Sequence, residues 1–303
     1  MPSLTEGQIT IGGPCKINDP NGVIYTEGDV VLTPKPKWRA VPSAVLGAQD
    51  DVLVDGWWEI EFTPKSVWTS AYRAVVLPGA YYNYVCAGAP LIGAANRTVN
   101  LWGADGNGFD ITRGIITEMP TVYIGLGESV YGKCKMIAFL GNGNQLTDGN
   151  AFLVPNTTAW NQGDYPTTHQ EQLGTLAWGA LTDWSNVFAE KGFKLSHEFK
   201  TNPVLQGNIT IDRKIESYRG MLSFLPQEPT TADLLSALNY VIGSRRSASA
   251  NNAVVTASGM SMTLYSVAVR QLAFHFDNKL NRHGELQLVT AMTSPSTARM
   301  AFS

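Results

Sequence analysis

Apolar and polar residues alternate with a period of two along much of this chain. Trp58, Ile60 and Phe62 are separated by Glu59 and Glu61, and the same alternation recurs in Val122, Ile124, Leu126 and in Leu272, Phe274, Phe276. Successive side chains of a strand point to opposite faces, so this spacing predicts strands with one buried face and one wet or interfacial face. Residues that tolerate the backbone of hairpin turns punctuate the runs: Asp105-Gly106-Asn107-Gly108, Asn142-Gly143-Asn144, Asp148-Gly149-Asn150 and Ser258-Gly259. The expected fold class is mainly β.

Helix signals are few. Thr230 can cap a helix carrying Leu234, Leu235, Leu238, Val241 and Ile242, with Asp233 in the first turn and Gly243 at the end. Ser66 can cap a shorter one through Trp68 and Tyr72, stopped at Pro78-Gly79. The apolar-rich stretch from Leu173 to Phe188, with Trp178 and Trp184, stays open between helix and irregular structure.

The order of elements repeats. A strand and a Pro-containing loop, Gly28 to Leu46-Gly47, resemble Gly192 to Gln206-Gly207, and a strand follows in each, Trp57 to Phe62 and Asn208 to Ile215. The helix comes next. Then comes a hairpin, Val99 to Trp102 with Phe109 to Ile111, matched by Ala253 to Thr256 with Met260 to Val269. Last is a closing pair, Met119 to Leu126 with Lys133 to Leu140, against Gln271 to Phe276 with Glu285 to Met292. This implies a first module over 1–160 with an N-terminal arm, a linker over 161–190 and a second module over 191–303. The two would differ in loop length, Gln49 to Val54 against the abrupt Gly207.

Composition sharpens the picture. Of 303 residues 44% are hydrophobic and only 16% charged, below the roughly 25% of an average soluble protein. Low charge fits a surface covered by other copies of the chain, since interface cores are depleted in charge, and it fits equally a β-protein with neutral loops. The net charge of −3 offers no basic field for nucleic acid, and Arg245-Arg246 reads as a solvated loop. Cys15, Cys86 and Cys134 have neither metal-ligand spacing nor the density of a disulfide framework, so they are expected to be free thiols in a reducing compartment. Met1 to Gly13 lacks the pattern of a secretory signal, no apolar run is long enough for a membrane-spanning helix, and the sequons at Asn96, Asn156 and Asn208 are read as chance matches.

Catalytic constellations fail on spacing. His169, His197, His275 and His283 include no pair at helical metal-site spacing and are expected to be surface residues without chemistry. The glycines near Gly103 to Gly108 and Gly141 to Gly143 precede no Gly-Lys-Ser/Thr, and no Gly-x-Ser-x-Gly elbow exists. Glu59, Glu61, Asp110, Asp212 and Glu285 could form a glycosidase carboxylate pair, but a solvated or channel-lining strand face gives the same pattern. Trp57-Trp58 and Tyr81-Tyr82-Asn83-Tyr84 could stack on sugars or pack between subunits. The chain is therefore read as a non-enzyme with no cofactor and no metal.

The stretch Trp57-Trp58-Glu59-Ile60-Glu61-Phe62-Thr63-Pro64 resembles the central strand of siphovirus-type bacteriophage major tail-tube proteins. So do Val99-Asn100-Leu101-Trp102 with Phe109-Asp110-Ile111, Ile115 to Pro120, and Tyr131 to Gly141. The resemblance covers about residues 25–155, and the second half only as a more distant version of the plan. It implies tandem β-sandwich, barrel-forming modules, each with a short flanking helix, that close into stacked rings forming a conduit for genome delivery. The implied partners are other copies of the chain, the tape-measure protein and other tail proteins, with DNA only in transit and no membrane. The implied location is the virion tail, assembled in the host bacterial cytoplasm. On this reading Glu59, Glu61, Asp110, Asp212 and Glu285 are candidates to face the lumen, and Trp57, Trp58, Tyr81, Tyr82 and Tyr84 candidates for contacts between subunits. Two modules per chain imply a trimeric ring of pseudo-sixfold appearance. The alternative is a viral surface or carbohydrate-binding β-sandwich.

Overall fold

The computed structural model describes residues 7–43, 47–77, 98–111, 113–125, 127, 129–139, 153–170, 173–179, 186–207, 209–227, 252–265, 267–276, 282–290 and 300–303. The first half runs β1 (Ile9–Ile11), β2 (Lys16–Asp19), β3 (Gly22–Tyr25), β4 (Val30–Ser43), β5 (Gly47–Phe62), α1 (Ser70–Val76), β6 (Val99–Trp102), β7 (Asn107–Ile111), β8 (Gly114–Glu118), β9 (Val122–Ile124), β10 (Cys134–Phe139) and β11 (Leu153–Thr157). The second runs β12 (Gly174–Trp178), β13 (Val187–Phe188), β14 (Phe193–Gln206), β15 (Ile209–Phe224), β16 (Ala253–Ala257), β17 (Met260–Leu264), β18 (Val267–Phe276), β19 (Arg282–Thr290) and β20 (Met300–Phe302).

These strands make four antiparallel five-stranded sheets. A first hairpin sheet, β1-β4-β5-β10-β8, packs with a first small sheet, β3-β2-β6-β7-β11. A second hairpin sheet, β9-β14-β15-β19-β18, packs with a second small sheet, β13-β12-β16-β17-β20. Strand for strand the two orders correspond. The long hairpins have the same dimensions, 14 and 16 residues in each half.

Irregularities correspond as well. The β4–β5 ladder shifts register at Lys37/Trp38 and Val41/Pro42, and the β14–β15 ladder at Lys200/Thr201 and Val204/Leu205, the same steps along each strand. The β10–β8 and β19–β18 ladders share a third shift, beside Thr117 and Arg270 respectively. A bulge is a local insertion that need not fall at any given step, so three matched bulges tie the halves together more firmly than strand order does. Isolated bridges Thr26–Pro64 and Ala189–Pro226 complete the match.

Several expectations change. The Pro-containing loop after Leu32 is strand: Pro34, Pro36 and Pro42 all lie in β4, whose outer side pairs with β1 only at residues 30–32. Proline is tolerated there because an edge strand has no partner awaiting its missing N–H. Gln49 to Val54 is likewise strand, so the two hairpins differ little in length. Thr69, not Ser66, caps α1, its hydroxyl accepting from the Tyr72 N–H at 3.4 Å. Ser66 instead donates to the Gln170 carbonyl and accepts from the Val130 N–H. Leu173 to Phe188 contains the strands β12 and β13. β10 closes against β8, not against residues 119–126. The helix expected at Thr230 to Ile242 lies outside the described residues, and α1 is the one α-helix among those described. It is far too short to cross a membrane.

The segment released from that pairing, β9, crosses to the second half and pairs with the start of β14, Phe193↔Ile124 and Leu195↔Val122. β1 pairs with β4 at the corresponding places, Ile11↔Val30 and Ile9↔Leu32. Ile9-Thr10-Ile11-Gly12 and Val122-Tyr123-Ile124-Gly125 are thus parallel solutions to one problem, capping the start of a long edge strand. Gly192, at φ 76°, admits the crossing, because a Cβ there would strike the Ile124 carbonyl oxygen. Trp68 adds another tie between the halves, its Nε1 donating to the Ser303 carbonyl at 2.9 Å with its ring edge-on to Phe302.

Candidate functional site: the outer face of the hairpin sheets

Alternation along β5 and β10 gives the first hairpin sheet two unlike faces. Ile60, Phe62, Cys134, Met136 and Ala138 point into the main core. The opposite face carries Glu61 and Lys135, then Glu59 and Ile137, then Trp57 and Phe139, as directly opposed pairs. It grades from charged to apolar.

At the charged end Glu61 pairs with Lys133 at 3.5 Å and Lys135 at 3.6 Å, while Lys135 also reaches Glu118 at 3.0 Å and Lys35 reaches Glu59 at 3.5 Å. Glu118 beside it holds the Lys135 ammonium above its ordinary pKa. Lysines therefore compensate the carboxylates, which removes the repulsion that two glutamates on one strand face would otherwise suffer.

At the apolar end Ile115, Ile137 and Phe139 form a small cluster with Trp57 against it, and Phe139 is 0% exposed. The tip of β14–β15 lies beside it. Asp55, 3% exposed, accepts from the Thr210 N–H at 3.1 Å and the Thr210 hydroxyl at 3.0 Å, and from the Gly56 N–H at 2.9 Å. A cleft of about 470 Å³ separates the two hairpins, lined by Lys37, Arg39 and Trp57 on one side and Pro203, Leu205 and Arg213 on the other. Burial pulls the Arg213 guanidinium below its usual pKa, against the attraction of Glu59.

Of the five acidic positions expected on a lumen face, the structure brings together Glu59 and Glu61. Asp110 stands in the first small sheet, where its carboxylate accepts from Asn100 Nδ2 at 2.6 Å and Asn156 Nδ2 at 2.7 Å. Asp212 is 2% exposed and accepts from the Arg213 N–H at 2.6 Å. Glu285 is opposite Ala273 in the β18–β19 ladder. Trp57 and Trp58 point to opposite sides of the sheet, Trp57 to the small cluster and Trp58 to the main core. Tyr81, Tyr82 and Tyr84 lie outside the described residues.

His197 corrects the expectation of a surface histidine. Its Nδ1 is 3.0 Å from the Tyr218 hydroxyl, the rings stack 5.9 Å apart, and burial lowers its pKa to about 3. Cys15 and Cys134 are free and buried, with the Cys15 thiol pushed up to about 11 by burial, whereas Cys86 lies outside the described residues. Among the described residues no cluster of three or more metal-ligating side chains occurs.

Sequence reasoning missed Asp55, Thr210 and the covered cluster. Asp55 carries no local motif, and its partner lies 155 positions away. No protein-family model matches the chain, and no curated protein does. A solved structure similar to it is a chain from the "Virion of native gene transfer agent (GTA) particle", at 12% identity and a TM-score of 0.30, covering 48% of this chain and 99% of that one.

Proposed function

We propose that this chain is a structural subunit of a phage-like virion, and specifically a tail-tube subunit whose two modules occupy consecutive places around a ring. The observation that carries the reading is the end-to-end succession of two hairpin sheets of matched strand order, with β9 of the first capping β14 of the second. A contact between unlike edges is heterologous, and repeated with a rotation that closes it generates a ring. Six modules require three chains, which makes the ring a trimer of pseudo-sixfold appearance. A closed ring also removes the unpaired edges that long strands such as β4 and β14 otherwise present to solution.

The motifs from Trp57 to Pro64 and from Tyr131 to Gly141 support the tail-tube reading by resemblance. In it the hairpin sheets line the conduit, with Glu59, Glu61 and Glu285 as lumen candidates and lysines compensating the first two. A wall of balanced charge lets DNA pass, because a basic wall would hold phosphates through counterion release. No residue is assigned a catalytic role. Negative-stain microscopy of the purified chain tests the proposal. Rings or tubes are expected, and a protein that stays monomeric at high concentration contradicts it.

A further inference from the structure

Two hairpins of equal length and matched bulges have unequal fates within the chain. The tip of β14–β15 lies against the outer face of the first hairpin sheet, with Thr210 on Asp55 and Arg213 near Glu59, where the Ile115–Ile137–Phe139 cluster is closed off. The register carries that seat onto the second hairpin sheet position by position. The pair Lys37↔Asp55 corresponds to Lys200↔Ser217, and Ile115↔Ile137 to Ala268↔Val289, while Trp57 and Glu59 correspond to Arg219 and Met221. Asp55 and Ile115 are 3% and 4% exposed where Ser217 and Ala268 are half-buried, and Trp57 is half-buried where Arg219 is exposed. The first seat is filled from within the chain, and the second is left more open.

The matching tip is equally recognisable. Leu205↔Thr210 in β14–β15 corresponds to Pro42↔Ala48 in β4–β5, and Arg213 corresponds to Asp51. We infer that the β4–β5 hairpin of one chain docks across the outer face of the second hairpin sheet of a neighbouring copy, repeating between chains the contact that β14–β15 makes within one. The inference rests on the ring reading above and adds the surfaces that close the ring. The occupant is a second copy because the contact joins unlike surfaces, and such a contact propagates from chain to chain. Charge allows it: Asp51 on the tip joins the Arg219–Glu198 pair, 3.1 Å apart on the seat, where the contact within the chain sets Arg213 beside Trp57 and Glu59. Complementary charge at such a rim fixes partner and register.

The test is a cysteine pair, Ala48→Cys with Ser217→Cys in a Cys86→Ser background, bridged by a short bismaleimide after assembly. Covalent dimers and trimers on denaturing gels are expected, with each single variant remaining a monomer. Rings by microscopy without interchain bridging overturn the docking while leaving the ring reading intact, and absence of rings from the unsubstituted protein overturns both. Should the double variant not fold, hydrogen exchange on the unsubstituted chain decides. Peptides covering 47–52 and 217–221 gain at least tenfold protection on assembly if the docking is right, and unchanged protection in either overturns it.

Discussion

The two hairpin sheets share strand order, dimensions and bulges, yet their outer faces differ in what they carry. Trp57, Glu59 and Lys35 on the first correspond to Arg219, Met221 and Glu198 on the second, where Arg219 pairs with Glu198 at 3.1 Å. Backbone plan is held while side chains diverge, and on the docking proposed above one surface is covered from within the chain and the other receives a neighbouring copy. The cost of losing a side chain should therefore depend on which sheet it belongs to.

Phe139→Ala should destabilise the isolated chain most, by about 3–5 kcal/mol in chemical denaturation, because it empties a site with no exposure. On the second sheet Met221→Ala, at the half-buried position that matches Glu59, should cost the isolated chain under about 1 kcal/mol and show its effect in assembly. Equal losses from both would break the comparison. Asp55→Ala comes next. It leaves the Thr210 N–H and hydroxyl without their acceptor at a buried junction, at about 1–3 kcal/mol.

The second half also holds a stacked His–Tyr pair that the first lacks, since Pro34 and Gly56 stand where His197 and Tyr218 stand. Burial lowers the folded pKa of His197 to about 3, against about 6.5 in an unfolded chain. Between those values the unfolded state binds a proton that the folded state does not, so this contribution is intact above pH 6.5 and is lost as pH falls toward 3. His197→Gln should flatten the stability profile in that window by up to about 1.4 kcal/mol per pH unit. Identical acid limbs for variant and parent would contradict the burial. Arg219→Ala should be the mildest, within about 1 kcal/mol for the isolated chain, because its pair with Glu198 is exposed.

The hairpins β6–β7 and β16–β17 were legible in the sequence because each pairs strands that are neighbours along the chain and joins them at a Gly-containing turn. The outer edge of β4 was not legible. Three prolines argue for a loop wherever both sides of a strand must pair, and only the sheet order reveals that one side need not. β9 read as half of a local hairpin for a related reason. Its alternation fits a strand anywhere, and nothing in Val122-Tyr123-Ile124 names a partner some 70 residues onward at Leu195. At the candidate site, Glu59 and Glu61 were correctly seen to share a face, but the lysines that balance them come from β4 and β10 and from Lys133 just before β10. Asp212 was grouped with the acidic strand positions of a wet face, yet it is 2% exposed and accepts from the neighbouring Arg213 N–H.

In the proposed assembly three chains supply six modules to one closed ring. The mass of a single ring, measured by native mass spectrometry or mass photometry on short assemblies, tests it most directly. Three times the 32.9 kDa chain is the result expected. Six chains in one ring, with only one hairpin sheet of each at the lumen, would contradict it.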